Sequence, residues 1–318
     1  MSEQDTIQKH LERQGVSRRS FLKFCTLAAS SMALPLSSAS VIANVLASSA
    51  RPKVIWLSAQ ECTGCSESLL RAYDEYPVER LILEMISLDY HNTLMAPAGA
   101  AAESSRIESI AGGGHVVVVD GSIPLKENGA WSVVGGRTML DVLQETVADA
   151  ALILAVGNCA AFGGLPKSAP NPTSANGVDE LIASGELITT APLVNLPGCP
   201  PIPEVLTGVI VNFILNGAPD LDSLKRPLTY YGKVVHENCS RLQHYRNNEF
   251  ATSFDDAGAR QGYCLIKLGC KGTITFNACT TQKWNNGTSF PMHSGHGCLG
   301  CSEPDFWDRQ GGFYKSLL

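Results

Sequence analysis

The stretch Lys53–Leu70, KVIWLSAQECTGCSESLL, decides the fold. Val54-Ile55-Trp56-Leu57 is a short, continuous apolar run. A run of that length without polar alternation fits a strand covered on both faces, as in a parallel sheet. Ser66 to Tyr73, carrying Leu69 and Leu70, reads as a helix. Between strand and helix lies Cys62-Thr63-Gly64-Cys65, two thiols spaced as ligands on a turn. The same rhythm recurs downstream. Apolar runs lie at Leu81 to Leu88, Val116 to Val119, Ala151 to Val156 and Ala191 to Leu196. Helical spacing appears between and after them. Thr138 to Val147 carries Met139, Leu140, Leu143 and Val147, and Pro203 to Asn216 carries Val205, Leu206, Val209, Ile210, Phe213 and Ile214. Alternating strand and helix predicts an α/β, flavodoxin-like parallel sheet over residues 51–222.

The cysteines of this half follow strands. Cys62 and Cys65 follow the first, Cys159 (in GNCAAFGG) the fourth, and Cys199 (in LPGCPPIPE) the fifth. In open α/β sheets the binding crevice lies beyond the carboxyl ends of the strands. Four thiolates would meet there, the number that a [4Fe–4S] cluster needs. Gly157, Gly163, Gly164 and Gly198 let backbone approach and present amide donors. Pro197, Pro200 and Pro201 stiffen the Cys199 loop. Pro170 to Gly177 reads as a surface loop.

Around Gly217 to Pro227 strand-like runs end. Residues 223–318 have too few periodic apolar segments for a large core, and such a region is usually held by metals or disulfides. It holds six of the eleven cysteines. His236 opens the run in HENC, three residues before Cys239, and Cys298 and Cys301 close it as CLGC. The ligands partition into Cys62, Cys65, Cys159 and Cys199; His236, Cys239, Cys264 and Cys270; and Cys279, Cys298 and Cys301. Three thiolates suit a [3Fe–4S] cluster or a labile [4Fe–4S] cluster with an open iron, with Pro291 at the place of a fourth thiolate. Two zinc sites or a disulfide framework are the competing readings. His91, His244, His293 and His296 lack a comparable partner and default to structural roles. His296, two residues before Cys298, is placed to support that ligand by a hydrogen bond.

Only 17% of the 318 residues are charged, which fits a chain with surface buried against a partner. The net charge is −6, and no basic patch with interleaved aromatics occurs, which argues against nucleic acid. Residues 1–50 carry five basic and three acidic residues, so the remainder stands at −8. Ser17-Arg18-Arg19-Ser20-Phe21-Leu22-Lys23 is a twin-arginine export motif, followed by the weakly apolar run Phe24 to Leu36. Ser48 and Ala50 mark cleavage before Arg51. The plainer alternative is an amphipathic helix with an accidental arginine pair. Twin-arginine export carries folded proteins, often with cofactors in place, so metal clusters suit these cysteines better than disulfides. Cys25 would leave with the signal. No run of eighteen apolar residues follows Arg51, so membrane attachment would need a partner.

The strings ECTGCSESLLRA, ISLDYHNTLMAPAG, GNCAAFGG, PGCPPIP, HENC, GYCLIKLGCKG and GHGCLGCSEPDFWD resemble the small subunits of periplasmic [NiFe] hydrogenases. The likeness runs from about Lys53 to Tyr314 and includes the twin-arginine signal. It implies a proximal [4Fe–4S] cluster on Cys62, Cys65, Cys159 and Cys199. It implies a distal [4Fe–4S] cluster on His236, Cys239, Cys264 and Cys270, and a medial [3Fe–4S] cluster on Cys279, Cys298 and Cys301. The nickel–iron centre would belong to a large-subunit partner in a periplasmic heterodimer. Electrons would leave to an external acceptor such as a multihaem cytochrome. No catalytic residue is expected in this chain. Glu61, beside Cys62, is the one carboxylate singled out for proton transfer, against a plain surface or interface hydrogen bond. Oxygen-tolerant members carry two extra cysteines where Gly64 and Gly164 stand here, so an oxygen-sensitive enzyme is expected. Membrane-bound members continue past the last motif into an apolar helix, whereas this chain stops at Leu318, so it resembles the soluble type or a shortened form. The cluster-bearing component of respiratory complex I resembles the first domain, but it has adjacent cysteines and lacks the region from His236 to Cys301.

Overall fold

The computed structural model describes residues 6–308 and 314–318, except 14, 33, 49, 72–85, 285 and 286. Five parallel strands form one sheet: β1 (Lys53–Ser58), β2 (Ser87–His91), β3 (Val116–Asp120), β4 (Leu152–Val156) and β5 (Leu193–Leu196). Their order is β2-β1-β3-β4-β5, the flavodoxin-like winding. The register pairs Trp56 with Val118, and Val118 with Leu154.

The continuous apolar runs are explained by burial on both faces. Val54, Trp56, Val116, Val118, Leu152 and Leu154 enter one core cluster, while Ile55, Leu57, Val117, Val119, Ile153 and Ala155 enter the other. Alternate residues point to opposite faces, so burial on both faces requires apolar residues at successive positions. Burying each such side chain contributes about 1.5–3 kcal/mol.

One expected strand shifts. The apolar run Leu81 to Leu88 lies largely outside the described residues, and β2 is Ser87–His91, where Tyr90 and His91 are the buried residues. The expected helix from Ser66 to Tyr73 is Gly64–Leu70, with 72 and 73 outside the described residues. The expected loop Pro170 to Gly177 is partly internal. Ala175–Asn176 pairs antiparallel with Ile123–Pro124, and Ala175 is fully buried, its N–H taken by Asn171 Oδ1 at 2.7 Å. The helix Met139–Thr146 is capped by Thr138 Oγ1, which accepts from Asp141 N.

The helix Pro203–Asn216 is apolar nearly all round. Proline at its first turn starts it without a lost donor, and Gly217 at φ +83° ends it. Two N-terminal helices, Arg18–Ser31 and Ala39–Ser48, pack on it and on each other. Phe24, Cys25, Ala28 and Leu46 share a core cluster with Val205 and Val209. Among the described residues no helix is long and apolar enough to cross a membrane.

After Pro227, no described regular element exceeds five residues. Backbone bonds between distant segments hold the chain instead, among them Val235 N to Thr275 O and Lys271 N to Cys298 O, both 2.8 Å. Arg226, nearly fully buried, ties this region to what precedes it. Its Nε donates to Asp222 Oδ2 at 2.8 Å, its Nη1 to Glu303 Oε1 at 3.0 Å, and its guanidinium lies over the Phe276 ring. Glu303 Oε1 also accepts from Phe276 N at 2.6 Å.

Candidate functional site

The carboxyl ends of β1, β4 and β5 supply the first set of thiols. Cys62 lies in the turn after β1, and Thr63 at φ +64° swings the chain so that Cys65 enters the first turn of a helix. Cys159 sits in the first turn of the helix Gly157–Phe162, directly after β4. Cys199 follows β5. These loops touch through their sulfurs. A Cβ added to Gly157 would lie 2.4 Å from Cys65 Sγ, and one added to Gly164 would lie 2.6 Å from Cys159 Sγ. Glycine is therefore required at Gly157 to make room for the sulfur of another loop, and at Gly164 to make room for the sulfur of its own.

The electrostatics of the set are those of thiols held against their own ionisation. Burial pushes the Cys65 thiol well up, and the charges of Asp120, Cys159 and Cys199 add to the shift. Burial pushes Cys159 up to about 11, with Cys62 among the contributing charges. Cys199 is open on one side, yet it is pushed up to about 12 by desolvation and then by Cys301, Cys159 and Cys62. A cationic metal group reverses this logic, because a coordinating thiol is deprotonated outright. Behind Cys65, Ser66 Oγ lies 3.4 Å from Asp120 Oδ2 and 3.4 Å from His91 Nε2. Asp120 is pushed up to about 7 by burial and by Glu61.

His236, Cys239, Cys264 and Cys270 form the second set. His236 occupies a 3₁₀ turn, Val235–Asn238, in which Cys239 N donates to the His236 carbonyl at 3.2 Å. Its Nε2 is buried without a partner among the described residues, and the ring edge meets Tyr245 at 4.6 Å between centroids. Burial, with Arg246 nearby, lowers its pKa and keeps the ring neutral, as a ligand requires. Burial raises Cys264, and the charges of Cys270 and Cys239 contribute. Arg241 N donates to Cys239 Sγ at 3.4 Å.

Cys279, Cys298 and Cys301 line a cavity of about 330 Å³, together with Pro291, Trp284 and Cys199. Burial pushes Cys279 up to about 12, with Cys301 next. This third set borders both others. Cys199 shares its cavity wall and feels Cys301, while Cys298 N donates to Cys270 Sγ at 3.2 Å. The sets therefore stand in a row, with the third in the middle.

Among the described residues no three His, Cys, Asp or Glu side chains converge closely enough to share one metal ion. The third set lines a cavity rather than meeting at a point, and a cluster gives each ligand its own iron. All eleven cysteines carry free thiols. The donor types, the orphaned His236 Nε2 and the glycine-lined approaches all fit iron–sulfur ligation.

The remaining candidates find other places. Glu61 is raised by burial; Thr63 Oγ1 donates to its Oε1 at 3.4 Å, and its Oε2 is buried without a partner among the described residues. His91 stacks on Trp56, His244 pairs with Glu249 at 2.7 Å, and His293 stacks on Phe290. His296 Nδ1 meets the Gly297 carbonyl at 2.9 Å, so it acts on the backbone beside Cys298. Sequence reading missed Asn158 and the Arg226–Glu303 pair, which brace the ligand loops. Only the adjacency of Asn158 to Cys159 could have hinted at it.

Known proteins sort along the same lines. Residues 231–314 match the family model for the C-terminal part of the NiFe/NiFeSe hydrogenase small subunit. Residues 62–213 match that of the NADH ubiquinone oxidoreductase 20 Kd subunit. The periplasmic [NiFe] hydrogenase small subunit 1 of Nitratidesulfovibrio vulgaris is 46% identical over 311 residues, covering 97% of this chain and 96% of that protein. The hydrogenase-1 small chain of Escherichia coli is 43% identical over 322 residues, covering 100% of this chain and 84% of that protein. A solved [NiFeSe]-hydrogenase chain of Desulfomicrobium baculatum superposes with a TM-score of 0.77 at 35% identity, covering 84% of this chain and 100% of that one.

Proposed function

The chain belongs to the family of [NiFe] hydrogenase small subunits, and from that premise we propose that it conducts electrons through three iron–sulfur clusters held in a row. It is the electron-transfer subunit of a hydrogenase whose catalytic site lies in the large subunit. The reaction there is H₂ ⇌ 2H⁺ + 2e⁻. Cys62, Cys65, Cys159 and Cys199 would hold a [4Fe–4S] cluster nearest the partner. Cys279, Cys298 and Cys301 would hold a [3Fe–4S] cluster in the middle. His236, Cys239, Cys264 and Cys270 would hold a [4Fe–4S] cluster facing an external acceptor such as a multihaem cytochrome. Such clusters supply one-electron redox steps, with potentials tuned by charge, hydrogen bonds and exposure.

The residues of this chain bind and order that relay. Thiolates and one neutral imidazole ligate, and replacing a thiolate by histidine removes negative charge at the outer site, which favours a higher potential. Backbone amides of Arg241 and Cys298 aim at ligand sulfurs and offset their charge. The thiolates carry no proton. Glu61 is the carboxylate placed for proton traffic. We assign residues 1–50 to a twin-arginine signal that exports the folded protein to the periplasm, residues 51–222 to the flavodoxin-like domain and 223–318 to the second cluster domain.

The observation that carries this reading is the row itself: Cys199 beside Cys301, then Cys298 bonded to Cys270. The test is the iron, nickel and zinc content of the affinity-purified complex. About eleven irons from this chain beyond the partner's own, with one nickel, are expected. Zinc in place of iron would overturn the assignment, and iron without nickel would remove the hydrogen chemistry.

A further inference from the structure

Asn158 precedes Cys159 and is almost fully buried. Its backbone N–H donates to the Gly198 carbonyl at 2.8 Å, in the loop that carries Cys199. Its side-chain Nδ2 donates to the Cys301 carbonyl at 2.9 Å and to the Glu303 carbonyl at 3.0 Å. Both partners are acceptors, which fixes the nitrogen end of the amide. One residue thus touches two loops of the first ligand set through its backbone and the third set through its side chain. The sequence distance is large, 143 residues from Asn158 to Cys301. Oδ1 is buried without a partner among the described residues. A buried amide with an unmet acceptor is unfavourable, so the donors are what this position uses. On the far side Glu303 is held by Arg226 and by Phe276 N, so the Cys301–Glu303 segment cannot follow a relaxing partner.

We propose that Asn158 is a positioning residue that fixes the spacing of the first and third ligand sets and so the rate at which electrons cross between them. This rests on the relay proposed above. The amide touches no ligand sulfur by hydrogen bond. It acts through the carbonyl of Cys301, clamping the main chain that carries that thiolate. No other side chain of the first domain bonds the Cys301 carbonyl among the described residues.

The test uses the assembled heterodimer with Asn158→Ala and Asn158→Leu. Neither has a donor; one leaves space and the other keeps volume. The backbone bond to Gly198 survives in both. Iron content and H₂–D₂ exchange, which needs no net passage of electrons along the relay, should stay at the wild-type level. Acceptor-coupled H₂ oxidation should fall several-fold in both variants. The magnetic coupling between the first and third clusters, read by electron paramagnetic resonance, should weaken. Wild-type coupling and oxidation in either iron-replete variant would overturn the proposal. So would exchange falling in step with oxidation, which marks a general loss. If one variant fails to accumulate, the other decides. A wild-type complex lacking cluster signals would instead overturn the relay itself, so the two failures are distinct.

Discussion

Gly157→Ala should empty the first ligand set and leave the sheet standing. Gly157 has φ +85°, and an added Cβ would lie 2.4 Å from Cys65 Sγ. Unstrained contact needs about 3.5–4.0 Å, so one atom must move by more than about an ångström. Left-handed backbone adds about 1–2 kcal/mol for a residue with a Cβ. The backbone resists, because the next N–H is bonded to Gly198 O at 2.8 Å and the chain enters a helix directly after a fully buried strand. The thiol of Cys65 is what yields, and it leaves its place among the ligands. Iron per complex should fall by about four of the proposed eleven, with loss of acceptor-coupled H₂ oxidation. Gly185→Ala separates the two costs. Gly185 has φ +80° with nothing within 4 Å of the added carbon. It carries the same left-handed penalty of about 1–2 kcal/mol and should lower Tm by a few degrees without loss of iron. Full iron in Gly157→Ala, or equal iron loss in Gly185→Ala, would refute the reasoning.

Four other outcomes are expected. Burial lowers His91 to about 4 from 6.5, so the native state holds it neutral while the unfolded chain takes a proton. Stability is then complete above pH 6.5 and declines as pH falls toward 4, by at most roughly 3 kcal/mol; denaturation across pH should show this limb, and His91→Phe should flatten it. Arg226→Met strips the buried Glu303 and the half-buried Asp222 of their cation, costing about 3–5 kcal/mol, and urea titration should release iron from the third set first. Glu61→Gln should slow turnover and H₂–D₂ exchange; unchanged rates would leave Glu61 a plain hydrogen-bonding group. With Gly64 and Gly164 beside the first set in place of cysteines, H₂ oxidation measured under air should be lost, and undiminished oxidation would sink that expectation.

Most strands, and the thiol-bearing loops that follow them, were legible because each obeys a local rule. A strand buried on both faces has no polar alternative, and a thiolate in a loop after such a strand has few other uses. The start of β2 was not legible, because the apolar run Leu81 to Leu88 advertises burial whereas pairing with β1 begins at Ser87. The inner half of Pro170 to Gly177 looked like plain loop because its pairing partner, Ile123–Pro124, lies some fifty residues upstream. Asn158, Arg226 and Glu303 were invisible for a different reason. A buried polar brace has no periodicity, and its meaning lies in partners far along the chain. The packing of the N-terminal helices on Pro203–Asn216 was hidden likewise, since the apolar run Phe24 to Leu36 after an arginine pair reads first as a leader, and only its partner far along the chain reveals a buried face.

The row of ligand sets also has a clock built into it. A ribosome makes the chain from Met1 onward, and the first set is complete once Cys199 has emerged. The middle set closes only with Cys301, and Cys270 receives its amide donor from Cys298. On the proposed assignment, a nascent chain would hold all four thiols of its first set for about a hundred residues of synthesis while having no exit for an electron. The middle link, which would join the inner site to the outer one, is the last thing made. A stalled or clipped product would keep the sheet and the first four thiols and, on that assignment, still be electrically dead.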